Sequence, residues 1–366
     1  MYKFDNRIVL TLDAGGTNLV FSAMRGYENI VEPVTLPSNA KDLDLCLQTM
    51  VDGFTRIMEQ LEEKPVAISF AFPGPADYEA GIIGGFLPNF PSFRDGVALG
   101  PFLRQKFDLP VYINNDGDLY AFGEAIGGIL PEINDKLEKL GSAKRYKNLL
   151  GFTFGTGLGI GEVINGQLNI GNNSCVETFC LRNKRMPDVI AEEGAAIRAI
   201  IREYVNLVPD APADLTPFDI FKIAEGDKEG DKEAARKAFA MFGEIAGDAI
   251  ATAVTLTDSL VVIGGGITGA AKYIMPSLLD EMRSSLRTLG GEEVQRVQMR
   301  VFDLDNELEF AKFAMGDSRE LKVYGSNDTV IYDPMKRTGV AITRVGASKA
   351  IMIGAYSYAL SKIDSK

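Results

Sequence analysis

Several residue types that often carry chemistry are absent or rare in this chain. Its 366 residues include no histidine, no tryptophan and three cysteines. Without histidine, a histidine base and a histidine–metal site are both excluded, so acid–base work falls to a carboxylate, lysine, tyrosine or cysteine. The three cysteines, Cys46, Cys175 and Cys180, make no disulfide framework and suit a reducing cytoplasm. Because the spacing of Cys175 and Cys180 is loose for a zinc pair, we expect no zinc.

Two kinds of partner are also disfavoured by what the sequence lacks. The net charge is −12 and no basic stripe is present, so we expect no nucleic acid partner. No apolar run approaches the ~20 residues of a membrane span, so we expect no membrane partner. The first predicted strand starts at Ile8 and leaves no room for a signal peptide, which together with the cysteines predicts a cytoplasmic protein.

Two glycine-bearing stretches with the same layout are present instead. Residues 8–24 read IVLTLDAGGTNLVFSAM and residues 152–166 read FTFGTGLGIGEVING, each an apolar strand, a Gly/Thr bend and a second apolar strand. Walker and Rossmann loops lead from a strand into a helix, whereas these bends lie in β-hairpins, and an Asn165-Gly166 hairpin turn follows the second.

Glycine lets the backbone approach a phosphate closely, and successive N–H groups in such a bend form an anion-binding concavity. We therefore interpret both bends as phosphate-binding hairpins, although each one taken alone is also consistent with a plain tight turn. The candidate nucleotide-binding residues are Asp13, Gly15, Gly16, Thr17, Asn18, Thr156, Gly157 and Gly159.

The order of the predicted elements indicates an α/β protein with mixed sheets. Residues 1–125 follow a β-β-β-α-β-α-β-α order and form a first domain. A larger α/β domain, 126–345, contains the second bend, and its part 303–345 is predicted to hold short strands and turns. Residues 346–366 form a closing helix that we expect to pack back on the first domain.

A third glycine-rich turn lies between a strand and a helix in residues 259–282. Gly264, Gly265 and Gly266 would let an adenosine lie flat against the backbone, which makes them further candidates for nucleotide binding. Many strand–helix junctions tolerate glycine, so this turn alone is weak support.

Two aspartates follow predicted strands of the first domain. Asp116 comes after the strand 111–114, at the carboxyl edge of the sheet where ligands usually bind, and could accept a proton from an attacking alcohol. Its alternative role is that of an N-cap for the following helix. Asp13 ends the first strand and suits a hydrated Mg²⁺ between phosphates, or else forms the turn through its own backbone.

At this point the chain resembles the sugar kinases of the ROK family (repressor, open reading frame, kinase), part of the actin/hexokinase/heat-shock-chaperone ATPase superfamily. The resemblance rests on the segments DAGGTN, FPGPADYEAGII, LPNF, LPVYINNDGDLYAFGEA, FGTGLGIGEVINGQL and VIGGGIT. It implies a two-domain actin-like ATPase (ribonuclease H-like) fold with an interdomain cleft. It also implies ATP- and Mg²⁺-dependent, glucokinase-like phosphorylation of a hexose hydroxyl, most simply the 6-hydroxyl, and a possible homodimer.

The resemblance further assigns roles to residues near the sugar. It puts Asp116 in the place of the catalytic base, lets Asn115 and Asn89 approach sugar hydroxyls, and lets Gly74 line the sugar pocket through its backbone. Glu177 matches a first glutamate of the family. For a second one, Asp188 is favoured by the helix pattern that follows, with Glu192 and Glu193 as rivals.

The chain also departs from the family pattern. A Cys-rich zinc motif and the histidine that touches both sugar and zinc are missing, and Asn18 stands where many members have lysine. These departures keep two alternatives open. One is a protein that binds sugar or nucleotide with little or no turnover. The other is a sugar-responsive regulator, which in this family carries a helix-turn-helix domain ahead of the first hairpin.

Overall fold

In the computed structural model, which describes residues 2–176 and 180–365, the alternating apolar runs form two six-stranded mixed sheets and three two-stranded ones. The strands are β1 (Val9–Ala14), β2 (Asn18–Arg25), β3 (Glu28–Asn29), β4 (Val34–Pro37), β5 (Ala67–Ala71), β6 (Ala76–Asp77), β7 (Ile82–Ile83), β8 (Val111–Asn114), β9 (Leu149–Phe154), β10 (Leu158–Ile164), β11 (Gln167–Leu168), β12 (Leu260–Gly264), β13 (Ser285–Arg287), β14 (Glu293–Gln295), β15 (Arg300–Asp303), β16 (Arg319–Lys322), β17 (Thr329–Tyr332) and β18 (Arg337–Ile342). The α-helices are α1 (Leu43–Met58), α2 (Leu99–Phe107), α3 (Asp116–Ile126), α4 (Ile129–Lys139), α5 (Ile197–Leu207), α6 (Pro217–Glu225), α7 (Lys232–Thr257), α8 (Ala271–Met282), α9 (Glu307–Met315) and α10 (Ala347–Asp364).

The described chain divides into two units. The first takes residues 2–131, 160–176 and 344–365, and the second takes 132–159 and 180–343. From the sequence, residues 160–176 are predicted to belong to the larger domain. They group with the first unit because Gly117 at the start of α3 and Gly161 in β10 approach so closely that a Cβ on Gly161 would lie 2.2 Å from the Gly117 carbonyl oxygen.

The sheet of the first unit brings three strand ends to one edge. Its order is β3-β2-β1-β5-β8, with β4 also paired to β2, and β1, β5 and β8 run parallel. Asp13 pairs with Ala71 and Ala71 with Asn114, so the last residues of these strands are neighbours. Side chains that follow these strands therefore collect at one sheet edge.

Helices cover both faces of this sheet. Helix α1 buries Met50, Phe54 and Ile57 on one face, where Phe54 meets Phe21 edge to face with ring centroids 5.0 Å apart. Helix α10 packs on the other face and against α3. The two helices touch at glycines, since a Cβ on Gly123 or on Gly354 would lie 1.9 Å from a backbone oxygen of the opposite helix.

The second large sheet has the order β11-β10-β9-β12-β18-β15, with parallel pairing from β9 through β15. Helix α7 packs on α8, where a Cβ on Gly243 would lie 2.3 Å from the Ile274 carbonyl oxygen. Among the described helices, α7 alone is long and apolar enough to cross a membrane by length and composition, and 61% of its most apolar window is buried inside the structure. A core helix passes the same test, and α7 packs as one.

Some predicted elements differ from those observed. The Gly/Pro-rich stretch 81–93 contains the short strand β7 and a 3-10 turn at Pro91–Phe93. The segment 303–345 contains a helix, α9, and an interior strand, β18, in place of short strands and turns alone. Strand β18 is apolar enough to be buried, but its position between β12 and β15 depends on partners distant in sequence.

Candidate active site

Hydrogen bonds fix the backbone conformation of the first bend. Strands β1 and β2 pair antiparallel up to Ala14 and Leu19, and the Gly15 N–H donates to the Asn18 carbonyl at 3.0 Å. Ser38 ties the other side, because its hydroxyl donates to the Gly16 carbonyl at 2.6 Å and its N–H to the Thr17 carbonyl at 2.9 Å. No described residue accepts a hydrogen bond from the N–H of Gly16 or Thr17, so both remain available to an anion.

Glycine is required at this bend by close approaches. A Cβ on Gly15 would lie 2.9 Å from the Asn18 carbonyl oxygen, and one on Gly16 would lie 3.1 Å from the Asn89 Cβ. Asn18 itself is the first residue of β2 and pairs with Pro37 of β4, with its side chain exposed.

A cavity of about 490 Å³ opens beside this bend, within the first unit. Five of the predicted site residues line it, namely Asp13, Gly15, Gly16, Asn89 and Asp116. Gly74 and Asn115 do not line it, although the neighbouring Pro73 and Asp116 do. The cavity therefore joins the first bend to both aspartates predicted to carry chemistry.

Asp116 is the first residue of α3 and is held by the helix start. The N-cap is Asn115, whose side-chain oxygen accepts from the Gly117 N–H at 2.7 Å, so the alternative that Asp116 caps the helix is wrong. The Gly117 N–H also donates to Asp116 Oδ1 at 2.9 Å, which leaves Oδ2 without a described partner. A Cβ on Gly117 would lie 2.6 Å from the Ile160 carbonyl oxygen, so this glycine lets α3 begin directly against β10.

The surroundings of Asp116 favour a proton acceptor that is easily protonated. Asp116 is exposed where it lines the cavity. The surrounding protein nevertheless desolvates the carboxylate and raises its pKa. The negative charge of Asp13 raises the pKa further, against the lowering effect of the Gly117 N–H. Desolvation and a neighbouring charge are the usual means of tuning a general base.

The second bend lies in the second unit and differs from the first. The Leu158 N–H donates to Glu192 Oε2 at 3.1 Å, so a carboxylate already occupies one donor of this bend. Arg198 donates to the Thr156 carbonyl at 2.8 Å and to Glu192 Oε1 at 2.8 Å. No described residue accepts a hydrogen bond from the N–H of Thr156 or Gly157, so these two donors of the bend remain available.

Arg198 also connects the bend to Glu193. It donates to Glu193 Oε1 at 2.6 Å, and Arg202 lies 3.7 Å from Glu193 Oε2. The bond to Arg198 holds the pKa of Glu193 below its usual range, and the bonds to Glu193 and then Glu192 raise the pKa of Arg198. Glu192 and Arg198 were not predicted as bend residues. Glu192 and Glu193 precede Arg198 by six and five residues, a spacing that gives no local signal of a contact with the bend.

The triple-glycine turn adjoins the second bend. Gly264 ends β12 opposite Thr153 of β9, and Gly265 has a φ of +95° with a would-be Cβ 2.2 Å from the Phe154 carbonyl oxygen. Packing alone therefore requires glycine at 265. Gly266 is surrounded by open space, so a flat ligand can approach it.

Comparisons with known proteins identify the family. The model of the ROK protein family matches residues 9–178. A crystal structure of a glucokinase from Parabacteroides distasonis is 56% identical, with 99% of each chain covered and a TM-score of 0.92. The chain belongs to the ROK family.

More distant relatives are similar over most of their length. A glucokinase from Thermotoga maritima is 26% identical over 313 residues, which cover 74% of this chain and 89% of the relative. The ROK hexokinase structure from Thermus thermophilus is 18% identical, with 98% and 100% of the two chains covered and a TM-score of 0.67. The fold is thus the α/β actin-like ATPase fold with mixed sheets, as the sequence predicts.

Four further candidates for sugar contacts, taken from the family resemblance, have different outcomes. Glu177 lies outside the described residues. Asp188 is exposed in a loop of the second unit, between the paired residues Arg182 and Ile190, and does not line the cavity. Of its rivals, Glu192 contacts the second bend and Glu193 pairs with arginines, so neither side chain is free of protein partners.

The described residues contain no group of three or more histidine, cysteine, aspartate or glutamate side chains that could hold a metal ion. Cys175 and Cys180 are exposed free thiols. For Mg²⁺, the donor set fits a hydrated ion, because Asp13 is an exposed carboxylate on the cavity with no described hydrogen-bond partner.

Proposed function

We propose that this protein transfers the γ-phosphoryl group of ATP to the 6-hydroxyl of glucose or a close relative, with Asp116 as the general base. One observation carries the proposal. Asp116 lies on the same cavity as the first bend and Asp13, with its pKa raised and one carboxylate oxygen unpartnered. Sugar kinase is the class to which the ROK family and the 56% identical glucokinase point.

In the proposed reaction, Asp116 accepts the hydroxyl proton while the sugar oxygen attacks the γ-phosphorus. Oδ1 stays bonded to the Gly117 N–H, so Oδ2 faces the hydroxyl. The new bond forms between the sugar oxygen and phosphorus, the bond to the β-phosphate oxygen breaks, and ADP leaves with the negative charge. Catalysis of this kind is chiefly positioning and electrostatic stabilisation.

The nucleotide would be held by groups that the fold leaves available. The N–H groups of Gly16 and Thr17 in the first bend and of Thr156 and Gly157 in the second suit phosphate oxygens, with Gly159 and Asn18 flanking them. The adenosine would lie along Gly264, Gly265 and Gly266. Asp13 would hold Mg²⁺ through water, and the ion would neutralise charge on the moving phosphoryl group.

The sugar would be oriented by residues around Asp116. Asn89 lines the cavity beside Gly16 and suits a hydroxyl contact. Gly74 would contribute backbone, while Asn115 acts mainly by fixing the start of α3. Glu177 and Asp188 remain proposed contacts that come from the family resemblance.

The deciding experiment measures ADP release from Mg·ATP across a panel of hexoses. We expect glucose or a close relative to stimulate turnover, and Asp116→Asn to lower kcat by on the order of 10²–10⁴-fold, as expected for loss of a general base. The matched control is Asp135→Asn, an exposed aspartate on α4, which should leave kcat unchanged. If no hexose stimulates ADP release, or if the two variants behave alike, the proposal is wrong.

A second candidate function has one observation in its favour. Because Glu192 occupies the Leu158 N–H, the second bend presents a carboxylate to any incoming phosphate. A protein that binds sugar with little turnover would fit that arrangement. Calorimetry that detects hexose binding in samples without ADP release would favour this candidate over the kinase.

A further inference from the structure

The second unit contains a cavity that lies outside the candidate active site. Its volume is about 330 Å³, and its lining comes from the end of α8, the strand β15 and the helix α9. Part of the lining is apolar and buried, because Met282, Val297 and Phe302 are at most 2% exposed. A concave site of this size with an apolar lining and a few polar groups is typical of small-molecule sites. We call it the edge cavity.

Charged side chains complete the lining of the edge cavity. Arg283, Arg300 and Lys312 supply three positive charges against the one negative charge of Glu309, which gives the lining a formal charge of +2. The whole chain, in contrast, has a net charge of −12. A cleft with an excess of one charge raises the local concentration of ligands of the opposite charge. The edge cavity therefore favours an anion.

Arg283 is held in place by the protein. Its Nε donates to the Val301 carbonyl at 3.1 Å, and its Nη2 forms an ion pair with Glu309. The Glu309 carboxylate also accepts from the Asp303 N–H at 2.8 Å. The carboxylate is thus engaged by two donors, whereas Arg283 Nη1 donates to no residue in the described part of the chain.

The other two cations have no carboxylate partner. Neither Arg300 nor Lys312 forms an ion pair or a side-chain hydrogen bond with any residue that the structure describes. The Arg300 guanidinium lies over the Phe302 ring, 5.0 Å from its centroid. This contact holds the guanidinium at the cavity without neutralising its charge. Two positive charges therefore remain available to a ligand.

The backbone of β15 adds an uncharged donor. This strand is the last in its sheet and pairs with β18, toward which the N–H groups of Arg300 and Leu304 point. Because N–H directions alternate along a strand, the Val301 N–H points away from β18, and no described residue accepts a hydrogen bond from it. Val301 lines the edge cavity, so its N–H can bond an anionic oxygen there.

We propose that the edge cavity binds a small phosphate monoester, whose phosphate group lies between Arg300, Lys312 and the Val301 N–H and whose organic part lies on the apolar lining. Such a phosphate carries about −1.5 to −2 charges at neutral pH, which matches the charge of the lining. Cationic side chains and backbone N–H groups form strong hydrogen bonds with its oxygens. The edge cavity shares no residue with the candidate active site, so the proposal does not depend on the proposed function.

Methionine methyl groups give a readout that is specific to the edge cavity. Met282 and Met299 line it, whereas Met352 lines the cavity of the candidate active site. In the full-length chain labelled with ¹³C at the methionine methyl groups, phenyl phosphate should shift the resonances of Met282 and Met299 in a saturable manner. Phenyl phosphate that shifts only Met352, or none of the three, would overturn the proposal.

Two further probes separate the two parts of the ligand in the same experiment. Inorganic phosphate should bind about fivefold more weakly than phenyl phosphate, or weaker still, because it buries no apolar surface. Phenol should leave Met282 and Met299 unshifted, because it lacks the negative charge. If inorganic phosphate binds as tightly as phenyl phosphate, or if phenol causes the same shifts, the proposed class of ligand is wrong.

Substitutions test the two unpaired cations. Arg300→Gln and Lys312→Gln should each raise the dissociation constant of phenyl phosphate about tenfold, since each removes a charge-assisted hydrogen bond. The matched control is Lys237→Gln, an exposed position on α7 that does not line the edge cavity, and it should bind like the wild type. All three positions are exposed, so thermal melting should show folded variants. An unchanged dissociation constant in Arg300→Gln and Lys312→Gln would rule out the proposed phosphate contacts.

Discussion

At the scale of single residues, the ionised carboxylate of Asp116 serves the proposed catalysis but lowers the stability of the folded protein. Desolvation by the surrounding protein, with help from Asp13, raises its pKa, so the folded protein keeps the carboxyl proton to a higher pH than the unfolded chain does. Ionising this group therefore costs stability as pH rises from the unfolded to the folded pKa, and the cost is complete above the folded value.

The first prediction follows from that sign. Asp116→Asn should lose turnover and yet melt at a higher temperature than the wild type at neutral pH, with the difference shrinking at acid pH. Wild-type kcat/KM should fall as pH drops through the raised pKa, above the ordinary aspartate value of about 3.9. Scanning fluorimetry and initial rates over a pH series measure both. If the variant melts at a lower temperature than the wild type at neutral pH, desolvation of the ionised Asp116 does not destabilise the fold and the prediction is wrong.

Glu192 makes a second residue-scale prediction. Its carboxylate occupies the Leu158 N–H in the second bend, where it competes with and repels a phosphate. Glu192→Gln should therefore lower the KM for ATP by about fivefold, the equivalent of ~1 kcal/mol for a partly exposed charged contact, with kcat nearly unchanged. The control is Glu193→Gln, because Glu193 pairs with Arg198 but accepts no described hydrogen bond from a backbone N–H of the bend. A higher KM for ATP in Glu192→Gln would mean that the carboxylate supports the bend.

At the scale of elements, glycines decide how close the functional segments come. The start of α3 lies against β10 because Gly117 has no side chain, and the triple-glycine turn lies against β9 because Gly265 has none. The position of Asp116 thus depends on a backbone contact that no side chain provides.

Gly117→Ala tests this dependence. A Cβ 2.6 Å from the Ile160 carbonyl oxygen must move the start of α3, which should cost roughly 1–3 kcal/mol of stability and also lower kcat by displacing Asp116. Gly290→Ala is the matched control, since its Cβ would meet only the Thr288 hydroxyl at 3.6 Å. Urea unfolding and kcat for both variants give the answer. Unchanged kcat in Gly117→Ala would separate the helix start from catalysis.

Elements defined by local chemistry could be predicted from the sequence. The Asn165-Gly166 turn adopts the two positive φ angles, 53° and 75°, that its residue types favour, and β8 has the predicted bounds 111–114. Contacts across distance could not be predicted. Glu192 meets the second bend 34 residues away, and nothing local marks it as a hydrogen-bond acceptor for that bend. Likewise Ile133 and Leu137 of α4 are buried, although this helix is rich in lysine and glutamate.

At the scale of the whole molecule, the chain keeps the ROK fold without the family's zinc motif. No histidine is present in the sequence, and Cys175 and Cys180 are exposed thiols that the described residues do not gather into a larger ligand cluster. A structural zinc site contributes directly to folding, so its loss lowers the melting temperature. We expect stability to come instead from the packing of helices on the two large sheets.

The last prediction concerns treatment with a zinc chelator. Prolonged treatment with a zinc chelator should leave the melting temperature and kcat at saturating Mg²⁺ unchanged, because we expect no folding energy to depend on zinc. Metal analysis of the untreated protein should find zinc well below one ion per chain, and Cys175→Ser should melt like the wild type. The prediction is wrong if the protein holds stoichiometric zinc and chelation removes it together with several degrees of thermal stability. Cysteines and carboxylates would then form a zinc site without histidine, and that site would contribute to the stability of the fold.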